Sequence, residues 1–244
     1  MTQDRYQAVA KQFNEYLKDF FAPPDNHTTY HFGYKPVIDN IRETKNFPDI
    51  SLFDYGSGAG QFCAYLNELG VDVTGYEISN AMLQTARQNF PDLADRFLNK
   101  IPGDLKNTFD ICTMNFVTCE IQGEKELDKI ISNAFDLLKP QGKLIILTNN
   151  PEANPKGVRY NIWSIASVDI KTEGADVKTT IHTDDTNFEL NDYFWSEKFV
   201  QNKLQTVGLD QIVSFNPKLE NITDDIWEDE LKYPPTLIYS AIKP

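Results

Sequence analysis

Residues 53–60 read Phe-Asp-Tyr-Gly-Ser-Gly-Ala-Gly, and their types and spacing suit them to hold a small anionic or polar ligand. An apolar stretch, Leu52-Phe53, runs into Asp54. Glycines then alternate at Gly56, Gly58 and Gly60, and a helix-like run, Gln61 to Leu69, follows. That order specifies a strand, a tight turn and a helix N-terminus. Main-chain N–H groups there point at whatever lies in the turn, and the helix dipole favours negative charge. Glycine leaves no Cβ between the backbone and a close ligand. Glu77 stands 17 residues beyond Gly60, where the next apolar run, Val71 to Tyr76, ends. If a helix crosses between two parallel strands, Glu77 sits at the tip of the second one. A carboxylate at that point can accept hydrogen bonds from both hydroxyls of a ribose. Either half is a weak signal alone; loop and distal acid together read as a nucleoside-binding pair.

The elements that must position these residues follow from periodicity. Residues 4–20 carry apolar side chains at helical spacing, and residues 22–34, rich in turn formers and aromatics, read as a loop. Residues Pro36 to Arg42 begin a second helix, which is expected to end before Pro48. Strands are expected at Leu52–Tyr55, Val71–Tyr76, near Arg96–Asn99, at Phe109–Phe116 and at Lys143–Thr148, the last entered through a Gln141-Gly142 turn. Helices are expected at Gln61–Leu69, at Asn80–Asn89 with Ser79 as N-cap, and at Glu124–Leu138. Strands alternating with helices at this spacing build βαβ units and a parallel sheet, which binds ligands at the carboxyl ends of its strands. Asp54, Glu77 and Asn115 would share that edge. The pattern breaks after Asn150. Residues 158–192 alternate apolar and polar positions, as one or two antiparallel hairpins forming a lid would. A helix over 195–207 and strands at Ile212–Phe215 and Thr236–Ile242 close the chain.

The identity of the nucleoside rests on one residue of spacing. A dinucleotide fingerprint, G-x-G-x-x-G, requires its third glycine at position 61, where this chain has Gln61. The third glycine arrives one residue early, and an acid opens the run. A nicotinamide or flavin enzyme, and an ordinary strand–turn–helix that uses glycine only for packing, are the competing readings. The acid-x-G-x-G-x-G pattern resembles motif I of class I S-adenosylmethionine-dependent methyltransferases. The resemblance spans the chain: the opening Tyr6-Gln7-Ala8-Val9-Ala10, with amides Gln7 and Asn14 where the family has acids, then Gly75-Tyr76-Glu77-Ile78-Ser79 with Met82, Phe109-Asp110, and Leu138-Lys139-Pro140-Gln141-Gly142. Tyr193-Phe194-Trp195-Ser196, Val207-Gly208-Leu209, Trp227 and Tyr233-Pro234-Pro235 look like the toxoflavin-synthase branch, which N-methylates small heteroaromatic rings.

The resemblance implies an α/β fold: a Rossmann-like, seven-stranded, mainly parallel sheet with helices on both faces, an N-terminal helical cap and an antiparallel hairpin insertion as lid. The expected division is one domain with a cap over 1–47, a cofactor-binding core over 48–150, the lid over 151–194 and the C-terminal part of the sheet over 195–244. It also implies S-adenosylmethionine as cofactor, with S-adenosylhomocysteine as product. Asp54 and the backbone of Gly56, Ser57, Gly58 and Gly60 would hold the methionine tail, and Glu77 the ribose. Ile78 and Met82 would pack on the adenine, Asn115 and Phe116 would line the amino-acid end, and Asn99 would meet the adenine amino group. Tyr6 or Tyr16 would close over the cofactor. On the acceptor side the candidates are His31 and Tyr34 of the aromatic loop and Arg159, Tyr160, Trp163 and Tyr193 of the lid; each has a structural reading as packing, a loop hydrogen bond or a solvated charge.

Composition bounds the partners. A net charge of −13 opposes nucleic acid, whose binding needs a basic surface, and anionic membranes for the same reason. The acidic run Asp224 to Glu230 reads as solvated surface. No apolar run approaches the ~18 residues of a membrane span. Cys63, Cys112 and Cys119 lack metal-ligand spacing and read as buried, reduced thiols of a cytoplasmic protein, with no metal site. The expected partner is a small-molecule acceptor met by a monomer or homodimer. Two alternatives stay open: transfer to a basic peptide, steered by the negative charge, and a non-catalytic cofactor-binding partner of another chain.

Overall fold

The computed structural model describes residues 28–154, 158–160, 163–165, 169–182, 187–217 and 228–244. Tyr6, Tyr16 and Trp227 lie outside them. Tyr30–Tyr34 form a π-helical turn that leads directly into α1 (Lys35–Arg42), so the part of 22–34 that is described is helical rather than loop. The reason is packing: Phe32 is fully buried there, and Tyr34 stacks obliquely against Phe62 and Phe116.

The alternating pattern then unfolds as β1 (Ser51–Tyr55), α2 (Gln61–Glu68), β2 (Asp72–Tyr76), α3 (Asn80–Asn89), β3 (Phe97–Leu98), β4 (Phe109–Asn115), α4 (Glu124–Leu137) and β5 (Leu138–Asn149). β5 starts five residues before the expected Lys143. Gln141 takes a left-handed φ of 66° inside it, and its N–H donates to the Lys243 carbonyl at 2.8 Å, so the expected turn is absorbed into the strand. β6 (Trp163–Ile165), β7 (Asp176–His182) and β8 (Asn187–Tyr193) form a separate antiparallel sheet. α5 (Glu197–Val207), β9 (Asp210–Phe215), α6 (Glu228–Lys232) and β10 (Thr236–Ile242) complete the chain.

The main sheet has seven strands in the order β3-β2-β1-β4-β5-β10-β9. β3, β2, β1, β4 and β5 are mutually parallel, and β10 runs antiparallel to both its neighbours. The chain winds outward in opposite directions from β1 and β4, so the switch point lies between them, and a ligand crevice is expected at their carboxyl ends.

Strand period decides what reaches that crevice. Phe53 and Tyr55 of β1 join Leu144 and Ile146 of β5 and Tyr239 of β10 in one core, packed by Leu127, Ile130 and Ile131 of α4 and by Val200 and Leu204 of α5. Leu52, Ile145, Leu147 and Ile238 face the opposite core, with Val37, Ile38 and Ile41 of α1, Phe62 and Leu66 of α2, and Leu83 of α3. Each such side chain contributes about 1.5–3 kcal/mol by leaving water. Asp54, two residues beyond Leu52, therefore emerges on the α1–α3 side of the sheet edge. Cross-strand pairing of Asp54 with Thr113 brings Thr113, and Asn115 two residues on, to the same side.

Gly60 (φ 88°) is the left-handed N-cap of α2, and a Cβ there would stand 2.7 Å from Phe97 and 3.1 Å from Ala86. Glycine at this position is a packing requirement between α2 and α3. Gly60→Ala should cost about 2 kcal/mol through strained backbone and overpacking; a lowered urea midpoint at unchanged m-value is the expected result.

Candidate active site

The loop after β1 is shaped by the loop after β2. The N–H groups of Gly56 and Ser57 donate to the Tyr76 carbonyl at 2.7 and 2.9 Å. Glu77 then reaches back. Its Oε2 accepts from the Gly58 N–H at 3.0 Å and its Oε1 from the Ser79 N–H at 2.7 Å. Ser79 caps α3, its hydroxyl accepting from the Met82 N–H. Glu77 is 8% exposed, and burial raises its pKa against the pull of the Ser79 and Gly58 amides.

Asp54 is 2% exposed. Its Oδ1 accepts from Thr113 Oγ1 at 2.8 Å and from Asn115 Nδ2 at 3.2 Å, and its Oδ2 faces the Cys63 thiol at 3.5 Å. Burial pushes its carboxyl up to about 6 from the usual 3.8, and the hydrogen bonds from Thr113, Cys63 and Asn115 oppose that rise. No cation among the described residues pairs with it; a ligand ammonium group would favour the ionised form and pull the value down.

These residues form one end of a cavity of about 670 Å³. Gly56, Ser57, Gly58, Gln61, Phe62, Glu77, Ile78 and Met82 line that end, and Asn115, Phe116 and Val117 line its middle. The far wall comes from the lid: Trp163, Thr179, Ile181, Leu190, Asp192 and Tyr193. Three features mark the near end as built for a ligand. A Cβ on Gly58 would meet nothing closer than the Met82 methyl at 3.7 Å, so this glycine keeps an open cradle, unlike Gly60, where packing explains the residue. Ser57 Oγ and Asn115 Oδ1 are buried without a hydrogen-bond partner among the described residues. Phe116 holds a left-handed φ of 56° at the sheet edge, strain of the sort that gathers at ligand sites. Packing thus accounts for glycine at position 60 and not for glycine at position 58.

Of the expected cofactor residues, Asp54, Gly56, Ser57, Gly58, Glu77, Ile78, Met82, Asn115 and Phe116 meet at this cavity. Ile78, an exposed residue on the loop after β2, is 58% accessible, while Met82 is buried. Gly60 supports the loop from behind. Asn99 is exposed and outside the cavity lining, since β3 ends at Leu98. On the acceptor side Tyr34, Trp163 and Tyr193 line the cavity. His31 does not; it sits edge-on to Tyr30 with ring centroids 5.2 Å apart. Arg159 is exposed and bridges to Ser164, and Tyr160 is buried in the lid's own core against Trp163. Glu230, expected at the surface, is buried and accepts from Thr28 Oγ1 at 3.0 Å.

Sequence reasoning passed over Asp192, Thr179 and Asn149, which come together at the lid wall. The signal was available: Asp192 falls on the inward phase of an alternating strand, where an apolar residue is the rule. It also passed over the role of Trp195, whose indole donates to the Ile121 carbonyl at 3.0 Å and ties the segment leaving the lid to the loop after β4. The cysteines 63, 112 and 119 are free thiols and buried.

Comparison with known proteins agrees with this geometry. A family model described as a methyltransferase domain matches residues 30–211, and the chain belongs to that family. It is 33% identical over 103 residues to the biotin biosynthesis bifunctional protein BioHC of Cellvibrio japonicus (strain Ueda107), covering 41% of this chain and 20% of that one. It is 28% identical over 108 residues to malonyl-[acyl-carrier protein] O-methyltransferase of Buchnera aphidicola subsp. Baizongia pistaciae (strain Bp), covering 44% and 43% of the two. The matched stretch thus spans less than half the length of either relative. Among solved structures, an S-adenosylmethionine-dependent methyltransferase from Mesorhizobium loti shares the fold, with a TM-score of 0.59 at 18% identity over 90% of this chain and 99% of that one. Other solved structures of the same fold, from Listeria monocytogenes and Clostridium acetobutylicum, are likewise described as S-adenosylmethionine-dependent methyltransferases. No helix among the described residues is long and apolar enough to cross a membrane.

The Asp54 environment has a pH signature. The folded carboxyl sits near 6 and the unfolded one near 3.8, so the native state holds the proton more tightly. Stability from this group is full below about 3.8 and is lost as pH rises through 6. Asp54→Asn should therefore raise the melting temperature at pH 7.5, by an amount worth at most about 3 kcal/mol at ~1.4 kcal/mol per pH unit. The gain should vanish by pH 4. Thermal melts across that range check it.

Proposed function

We propose that the protein transfers the methyl group of S-adenosylmethionine to a nitrogen or oxygen of a small, flat, aromatic or heteroaromatic acceptor. The observation that carries this reading is the continuity of one cavity from Gly58 and Glu77 to the lid aromatics Trp163 and Tyr193. A volume of about 670 Å³ lies within the usual range for small-molecule sites, and after one nucleoside-sized cofactor it leaves room for a compact partner only.

When bound, the cofactor would supply an activated sulfonium methyl group for in-line transfer to a lone pair of the acceptor. The chain's part is alignment and exclusion of water. Asp54 would take the methionine ammonium, with Ser57 Oγ and Asn115 Oδ1 as further polar contacts along the tail. Glu77, held from behind by two amides, would accept from the ribose hydroxyls. Ile78 and Met82 would sandwich the base. Tyr34, Trp163 and Tyr193 would fix the plane of the acceptor. Orienting the reactants can supply about 7–11 kcal/mol of the barrier, so no nucleophile or triad is required. A general base enters only if the acceptor atom bears a proton. Monomer or homodimer, in the cytoplasm, is the expected setting.

Thermal-shift assays should show stabilisation by S-adenosylmethionine and S-adenosylhomocysteine, worth about 2.7 kcal/mol at a hundredfold excess over Kd. Stabilisation by NAD alone would refute the reading. Glu77→Ala should weaken S-adenosylhomocysteine binding by about 1–3 kcal/mol in calorimetry, because it strands the ribose hydroxyls and releases the Gly58 loop.

A further inference from the structure

The inner face of the lid carries a carboxylate. Register pairs Val177 with Asp192 and Thr179 with Leu190, so Val177, Thr179, Ile181, Leu190 and Asp192 share one face of β7 and β8. Trp163, opposite Ile181 on β6, joins them. Apart from Thr179 and Asp192 these residues are apolar, and an acid in that company carries a large desolvation cost unless something compensates it. Asp192 is 4% exposed, and its Oδ2 accepts from Thr179 Oγ1 at 2.6 Å and from Asn149 Nδ2 at 3.1 Å. These bonds lock the carboxylate in place at the cavity wall. A carboxylate accepts about four hydrogen bonds in all, so being anchored and receiving a ligand donor are compatible.

Two further observations point to what it receives. The described residues lining the cavity include the carboxylates Glu120 and Asp192 near the β6–β8 sheet and no lysine, arginine or histidine. Such a wall repels an anionic acceptor and draws a cationic one. Independently, Trp163 is 3% exposed and lines the cavity, and its indole N–H is buried with no hydrogen-bond partner among the described residues. A ligand acceptor atom would satisfy it, and the ring face favours a nearby cation.

We infer that Asp192 is the acceptor anchor, and that the cavity takes a small aromatic molecule bearing an ammonium or other cationic N–H group, held by Asp192 against Trp163. This rests on the methyl-transfer reading of the same cavity and names its substrate class.

The test uses the full chain saturated with S-adenosylhomocysteine and three matched probes: phenethylamine, 2-phenylethanol and 3-phenylpropionate. Ligand-observed NMR should give the amine about tenfold tighter binding than the other two, the increment expected of a charge-assisted hydrogen bond. Asp192→Asn should remove that preference, weakening the amine about tenfold and the alcohol by no more than about twofold. Binding of 3-phenylpropionate as tight as that of the amine to the unsubstituted protein overturns the proposal. So does an Asp192→Asn protein that keeps the preference. If that variant does not fold, the comparison of the three probes on the unsubstituted chain decides alone. Failure of the unsubstituted chain to bind S-adenosylhomocysteine sinks the methyl-transfer reading instead, so the two ideas fail separately.

Discussion

Glu77 fastens two loops through their main-chain nitrogens, and the glycine-loop end of the cavity takes its shape from that fastening. One carboxylate oxygen takes the Gly58 amide and the other the Ser79 amide, so the turn after β1 and the start of α3 are held at fixed separation before any ligand arrives. Buried amides without partners would cost about 1–3 kcal/mol each; here the same acid satisfies both and still offers acceptor positions toward the cavity. Pre-organisation of this kind lowers the ordering cost of binding. It also explains why the acid is carried at the strand tip rather than on a mobile loop.

Asp54 complements it from the other side of the crevice. It is sunk deeper, and its partners are neutral donors from β4 and α2. The result is a negative charge that the protein alone does not compensate and that a cationic ligand group would. The fold tolerates this discomfort because the two large cores on either face of the sheet are extensive. Stability is lent to the site rather than generated by it, a trade common in functional clefts.

The parallel half of the molecule was readable because its signals are local. Gly60, Ser79 and the strand alternations act within a few residues of themselves, and α3 and β10 fall where periodicity alone puts them. Asp54 and Glu77 declared themselves through spacing along one βαβ unit. The acceptor side was not legible in the same way. Thr179 and Asp192 lie 13 residues apart and meet only through a hairpin register, and Asn149 joins them from another sheet. Arg159 and His31 looked reactive by type, yet their elements carry them outside the cavity lining. Asn99 fell short because β3 is two residues long. The helical turn at Tyr30–Tyr34 escaped because aromatic burial, not propensity, holds it.

The lid has a hydrophobic nucleus of its own, built from Tyr160, Trp163, Ile165, Val177, Ile181 and Phe194, distinct from the clusters flanking the main sheet. Substitutions inside separate nuclei tend to add rather than interact. Residues of this small sheet can therefore change without disturbing the glycine loop and Glu77 across the crevice, and the two walls are free to vary independently.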